Sequence, residues 1–438
     1  MKAWIAGLWT LVLAHGELRI VTLCVLVIVG IVGAINILVD PKGLYQVVDI
    51  GGVNSYKIFQ PHYIAQYKAR DVRRYRPDTL IFGPSSVTFG INPERCSNSA
   101  LPNVSRIYNY GGTGDKFVSE FIPSLADLAA IGSIKRIVVE ARFEHIDSVP
   151  KAGAGRGGHT LANADNLFAR ALRPWVPARY AGAYVEDLFS WRDLALSTET
   201  VQWNRRVDLS SARSFRRFAD DGGYDQSWLK RFAAGVITQQ NVVGHTNNYS
   251  NYFLVRVSNE MDIDYSFVQE LAAAAKEYGF ALDLFIPPEH VTELLLYKEG
   301  GIWPLFEKFK RGVLNARQDA QMKYSMDIRL FDFAQIDEVT TQSVESVDNH
   351  TLYDPRFSDP VHFRAGIGDM LMARLLKCSV PTSVPEGFGV QLHADNIEVH
   401  LANERGKLEA YRARHGDLVR TISNTIGDRR RPLPTYPR

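Results

Sequence analysis

The sequence predicts an α/β protein built on a parallel sheet covered on both faces and tethered by one apolar helix. Three observations carry that prediction. Short apolar runs recur along the chain with helical stretches between several of them, the pattern of strands buried on both faces. One run, Leu80-Ile81-Phe82, stops at Gly83-Pro84 and is followed directly by Ser85 and Ser86. Near the amino terminus, Ile20 to Val39 runs for twenty positions without a charge.

The bulk numbers agree with a globular chain. At 438 residues there is room for one large or two ordinary domains, and 46% hydrophobic with 22% charged residues is enough to bury a sizeable core. A formal net charge of +2 gives no reason to expect nucleic acid as a partner. Cys24, Cys96 and Cys378 show no metal-ligand spacing, so no metal and no cofactor is expected.

In chain order, residues 1–19 form a cytoplasmic or interfacial amino terminus, with Trp4 and Trp9 suited to a membrane interface. Residues 20–39 are long enough to cross a hydrocarbon core of roughly 30 Å at about 1.5 Å per residue. A cleaved signal peptide and a buried core helix are the rivals. Ala34-Ile35-Asn36-Ile37 offers no convincing cleavage site, and a core helix rarely stays apolar on every face. Lys2 and Arg19 precede the span while Asp40 and Lys42 follow it. That balance favours a cytoplasmic amino terminus, which in a bacterium places the main domain in the periplasm.

Residues 40–77 read as a linker carrying the basic cluster Arg70, Arg73, Arg74 and Arg76, a solvated or headgroup-facing surface. The α/β domain is expected over 78–382. Its strands are predicted at Thr79–Phe82, Arg106–Tyr110, Arg136–Glu140, Ala281–Ile286 and Ile328–Phe333, with helices including Lys116–Ile131 and Tyr265–Tyr278. Between about 150 and 262 the alternation breaks. Lys151–Gly158 is a flexible loop by composition, and a helical-looking stretch lies near Arg170–Leu194. This reads as an insertion on the sheet domain, a lid or substrate wall, with a freestanding domain as the alternative. Its Trp191, Trp203, Trp228 and Tyr249 suit either core packing or stacking on sugar rings. Residues 383–438 read as a C-terminal arm with a charged helix near Asn403–Thr421 and a basic end, Arg429-Arg430-Arg431.

A serine at the carboxyl end of a buried strand sits where open α/β sheets place their ligand crevice. Ser85 or Ser86 is therefore either a nucleophile or merely the cap of the next helix. A hydroxyl needs a base, and the base an acid to orient it. Late in the chain, Ser358-Asp359-Pro360-Val361-His362-Phe363 precedes a helical pattern from Arg364 to Leu376. Asp359 can hold one imidazole nitrogen of His362 while the other faces the crevice, or the two can be a capped turn. Ile286-Pro287-Pro288-Glu289-His290 follows the fourth strand. Glu289 and His290 either contact substrate there or are simply a polar turn.

The ordered set, Gly83-Pro84-Ser85, then Asn109-Tyr110-Gly111-Gly112-Thr113-Gly114-Asp115, then Asp359-x-x-His362, resembles the SGNH (GDSL-like) hydrolase superfamily. More narrowly it is similar to the membrane-anchored bacterial branch that includes alginate O-acetylation proteins and related cell-envelope acyltransferases. The resemblance covers roughly residues 78–145 and 280–378 and implies a three-layer sandwich around the parallel sheet. It implies Ser85 as nucleophile, with Pro84 in place of the family's aspartate, and Asp359 and His362 as acid and base. Gly111 and Ser85 would supply oxyanion N–H groups, and Asn109 and the Glu289–His290 turn would reach substrate. The third-block asparagine is missing: the chain reads Val139-Glu140-Ala141-Arg142-Phe143, where Arg142 either donates to an oxyanion or pairs with Glu140, the second reading being preferred.

The function so implied is transfer or removal of an acyl group, acetyl in the resembled branch, on a cell-envelope polysaccharide, with a multispanning membrane O-acyltransferase as donor partner. A catalytically silent scaffold in a polysaccharide assembly or export complex is the alternative. If the domain lies outside the cytoplasm, a disulfide is permitted, and Cys96 and Cys378 are the expected pair, since each lies in the element just after an active-site loop.

Overall fold

Five short apolar runs become strands because each has apolar neighbours on both faces. The computed structural model describes residues 16–55, 57, 64–112, 122, 125–143, 181–206, 262–341 and 356–427. Helices α1 (Gly16–Val39) and α2 (Ile64–Tyr75) precede strand β1 (Thr79–Phe82), the short helix α3 (Ser85–Gly90) and β2 (Ile107–Asn109). Next come α4 (Leu125–Ala129), β3 (Arg136–Glu140), α5 (Ala181–Leu188) and α6 (Trp191–Arg206). They are followed by α7 (Ser266–Tyr278), β4 (Ala281–Ile286), α8 (Val291–Glu299), α9 (Trp303–Tyr324) and β5 (Ile328–Asp332). The remaining elements are β6 (Phe357–Asp359), β7 (His362–Phe363), α10 (Ala365–Leu376), β8 (Val390–Gln391), α11 (Ile397–Arg414) and α12 (Gly416–Gly427).

The main sheet has the order β2-β1-β3-β4-β5-β8. β1 to β5 are parallel, as expected, and the register sets Leu80 beside Tyr108 and Ile137, and Val138 beside Asp283. Alternation divides each strand between two cores. Leu80, Phe82, Ile137, Val139, Leu282 and Leu284 join one, while Ile81, Val138 and Phe285 join the other. Both faces are thus dry, which is why these segments read as continuous apolar runs. Asp283 is the exception, and it is buried in ion pairs with Arg136 and Arg329 on the flanking strands.

The chain forms two compact units, Met1–Arg70 with His159–Arg217, and Asp71–Gly158 with Phe218–Arg438. In the first, α1 spans Gly16–Val39 and so includes the whole uncharged run from Ile20 to Val39. Among the described residues, α1 is a helix long and apolar enough to cross a membrane. The expected insertion falls partly outside the described residues, including Lys151–Gly158, Trp228 and Tyr249. Its described helices α5 and α6 pack on α1, so this portion belongs to the same compact unit as that helix. The segment expected as a plain linker, 40–77, contains helix α2.

The C-terminal region is no appendage. β8 pairs antiparallel with β5, setting Asp332 opposite Val390, and so closes that sheet edge. Helices α11 and α12 bury Ile397, Leu401, Leu408, Tyr411, Ile422 and Ile426 in the first core. The stripe 397, 401, 404, 408, 411 has helical period, but the charged residues between its members hide it. The basic end, Arg429–Arg431, lies outside the described residues, as do Trp4 and Trp9.

What ties α11 down is a buried charge cluster at the end of β5. Asp332 accepts from Lys310 Nζ at 2.6 Å and from the Ala334 N–H at 3.0 Å, and His400 Nε2 of α11 lies 2.8 Å from it. Burial alone would raise the Asp332 carboxyl, but Lys310 and His400 outweigh it and hold it below the ordinary carboxylate range. Stability from that shift is present above the unfolded value near 4 and is lost as pH falls toward the folded one. Replacing Asp332→Asn strands the Lys310 ammonium without a counter-charge, and thermal denaturation should show a loss of about 3–5 kcal/mol at neutral pH. The difference from wild type should shrink in acid.

Candidate functional site

The site forms where β1 ends. Phe82 leaves the sheet at Gly83, where an added Cβ would fall 2.2 Å from Val87 Cγ2 and 2.9 Å from Glu140 Oε2. Only glycine lets the chain turn this close to helix α3 and strand β3. Pro84 then precedes α3, and Thr88 N–H donates the first intrahelical bond back to Pro84 O at 3.1 Å. Ser85 opens the helix, so its N–H lies ahead of that first bond.

Two adjacent serines meet two different fates. Ser85 Oγ lies 2.7 Å from His362 Nε2, within the reach required of a nucleophile and its base. Ser86 is fully buried, and its hydroxyl donates to Glu140 at 2.8 and 2.9 Å to the two carboxylate oxygens. The hairpin β6–β7 holds the base: Asp359 is the register partner of His362. The Asp359 side chain is outside the described residues. The Phe89 ring packs 5.9 Å from the imidazole, centroid to centroid.

Glu140 and Arg142 close the back of the site. Two residues apart on extended chain, they project to the same side, and Arg142 Nε donates to Glu140 Oε1 at 2.8 Å. Arg142 Nη2 reaches the carbonyl of Val361, the residue before His362, at 2.9 Å. One buried ion pair therefore grips the nucleophile turn through Ser86 and the base loop through Val361. Both side chains are almost wholly buried, at 0% and 4% exposure. Arg142 thus acts as the partner of Glu140 and a brace for the loop, and its guanidinium is committed away from an oxyanion.

Three other expected roles are corrected. Gly111 N–H donates to Asn109 Oδ1 at 2.8 Å, so in this arrangement it does not point at a substrate oxygen. Gly111 is needed for space, since an added Cβ would fall 2.4 Å from the Thr88 nitrogen. Asn109 is fully buried and its Nδ2 donates to Val87 O and Ile91 O, each at 2.8 Å. It satisfies the last carbonyls of α3 and contacts no open crevice. Glu289 and His290 are buried as well, at 1% and 2% exposure. His290 caps α8 through Thr292, its N–H donates to Pro360 O at 2.8 Å, and its ring packs on Phe357. Its part is to seat the base hairpin.

Cys96 and Cys378 are bridged, with Cα atoms 5.5 Å apart. Ser97 and Ser379 exchange backbone hydrogen bonds of 3.0 and 2.7 Å beside the bridge. The segment after the serine helix is thereby fastened to the end of α10, the helix after His362. Sequence reasoning reached Ser85, His362 and this cysteine pair, but weighed Ser86 only as an alternative nucleophile or a helix cap and assigned no part to the Val361 carbonyl. The Glu-x-Arg spacing at a strand end was the available signal for the brace.

The Glu140–Arg142 pair makes a measurable claim. Arg142→Met leaves a buried carboxylate without its cation and should cost about 3–5 kcal/mol in thermal denaturation. Adding Glu140→Gln should recover part of that loss, a coupling of about 0.5–3 kcal/mol. Additive losses would contradict the pairing.

No protein-family model and no curated protein matches the chain.

Proposed function

We propose that the chain is an SGNH-like, membrane-anchored, serine-dependent acyl-transfer enzyme acting on acyl esters of a cell-envelope polysaccharide. The observation that carries this is the 2.7 Å contact between Ser85 Oγ and His362 Nε2 at the carboxyl end of a parallel strand. The order of serine, aspartate and histidine along the chain supports it.

In this reading Ser85 Oγ attacks the ester carbonyl as His362 Nε2 takes its proton, and Asp359 holds the imidazolium. The tetrahedral intermediate collapses, the C–O bond to the leaving alcohol breaks, and His362 returns the proton to that alcohol. An acceptor hydroxyl then gives its proton to His362 and attacks the acyl-serine; the Ser85 Oγ–acyl bond breaks, and His362 returns the proton to Ser85 Oγ. The oxyanion is served by the Ser85 N–H at the start of α3, with neither Gly111 nor Arg142 turned toward it. Losing one such donor costs about 10²–10³-fold in rate, so this is a slow esterase in water. A sugar hydroxyl held against the acyl-serine outcompetes water through effective molarity.

The disulfide supports an oxidising compartment, and with α1 it favours a single-pass protein with its sheet domain on the extracytoplasmic face of a bacterial inner membrane. An acyl-enzyme there has no direct access to cytoplasmic acyl-CoA, which supports a membrane-spanning acyl donor as partner. The second reading, a silent scaffold in a polysaccharide complex, draws on the same missing oxyanion donors.

Incubating the purified full chain with a small acetyl ester should release acetate slowly. Adding an envelope oligosaccharide should divert acetyl groups onto the sugar, read by mass spectrometry. Ser85→Ala should abolish both products. Fast acetate release with no sugar ever acetylated would make it an esterase, and no product from folded protein would favour the scaffold.

A further inference from the structure

The anchor unit carries an apolar surface that the proposed chemistry does not use. Large side chains exposed around the C-terminal end of α1 include Leu38, Val47, Ile50, Phe189 and Trp191, with Trp191 65% and Val47 64% exposed. They are held there by specific contacts. Asn36, 1% exposed within the apolar helix, donates through Nδ2 to the carbonyls of Asp187, Leu188 and Ser190 at 3.1–3.3 Å. Its Oδ1 accepts from Ser197 of α6 at 3.3 Å. Lys42 pairs with Asp187 and Asp193 at 2.7 and 2.9 Å. Burial would lower the Lys42 ammonium, but these two carboxylates outweigh it and hold it above its ordinary value. Asn54 folds the Val47–Ile50 loop back onto the helix end, donating to Leu38 O at 2.6 Å and Val48 O at 2.9 Å.

The α5–α6 turn reaches well along the helix. Leu188 and Phe189 close on Gly33, where an added Cβ would fall 3.3 Å from the Phe189 ring. Gly33 lies about 9 Å before Val39 at about 1.5 Å per residue. Ile20 to Ile31 is largely uncovered, whereas Val32, Gly33, Asn36 and Val39 are buried. A polar amide facing hydrocarbon is costly, but here the turn carbonyls satisfy it. If lipid began only at Val39, polar backbone of the turn would sit within the acyl region.

We infer that the Phe189–Trp191 turn and the Val47–Ile50 loop form a collar that docks into the lipid headgroup–acyl interface. The hydrocarbon boundary then lies near Gly33–Asn36, inside the end of the helix. The occupant of this surface is the bilayer that surrounds α1, because the exposed apolar residues continue directly from its uncovered face. Tryptophan suits that layer, where its ring is dry and its indole N–H wet, and the wholly apolar Phe189 beside it supplies area to the acyl side. The inference rests on α1 being membrane-embedded.

The test uses the full chain in phospholipid nanodiscs of phosphatidylcholine and phosphatidylglycerol. Cys24→Ser removes the free thiol, and Cys96 and Cys378 are bridged. Spin labels are placed singly through Phe189→Cys and Trp191→Cys, with Ile28→Cys as the lipid reference and Met322→Cys, on the exposed face of α9, as the water reference. Collision with oxygen, which concentrates in lipid, is compared with collision with a water-soluble nickel chelate. The oxygen-to-nickel ratio at 189 and 191 should rise several-fold above position 322 and fall short of position 28. A water-like ratio at 189 and 191 with a lipid-like ratio at 28 would overturn the collar and leave the anchor. Shielding of 189 and 191 from both reagents would overturn it in favour of a protein neighbour. A water-like ratio at 28 would remove the anchor, and the collar with it.

Discussion

The buried pair Glu140–Arg142 is the constraint on which the site depends. A carboxylate excluded from water needs a cation and hydrogen-bond donors, and Glu140 has both in Arg142 and Ser86. Because Arg142 also holds the Val361 carbonyl, the price of burying Glu140 is recovered as geometry. The turn after β1 and the loop before β7 come from opposite ends of the domain sequence. They meet across this pair, and the Ser85–His362 distance follows from it. The disulfide makes the same connection at the outer end, between the segment after α3 and the end of α10.

The same pair fixes what its neighbours can offer. The Arg142 guanidinium is held by Glu140 and the Val361 carbonyl, and the Gly111 N–H is turned inward to Asn109. Further along the sheet, the ends of β4 and β5 are filled by His290 and by the Lys310–Asp332–His400 cluster. The carboxyl edge of the sheet is thus closed at those strands by polar groups that hold structure, and the Ser85–His362 contact lies where β1 ends.

Much of this was legible. Strands buried on both faces leave unbroken apolar runs, so β1, β3 and β4 could be bounded to the residue, and Gly-Pro-Ser at a strand end pointed to Ser85. A charged helix was legible in the C-terminal region but its packing was not, because half of it is solvent-facing and the charges of Arg405, Lys407, Arg412 and Arg414 mask a buried stripe ending at Tyr411. The described part of the insertion was expected on the sheet domain, and its packing on α1 was illegible for a different reason. Its attachment to α1 rests on Asn36 and Lys42, single polar residues whose partners lie about 150 positions away in the chain. No local pattern encodes such a pairing. Asn109 and His290 looked available to substrate because polar residues at strand ends usually face a crevice, yet both bind backbone groups that would otherwise go unsatisfied, and Glu289 is buried beside His290.

The central claim is that Ser85 is an activated nucleophile. A fluorophosphonate probe applied to the folded full chain, followed by peptide mass mapping, tests it most directly. The account predicts one adduct, on Ser85, that disappears in His362→Ala and persists in Ser86→Ala. An adduct on Ser86, or none on folded wild-type protein, would contradict it.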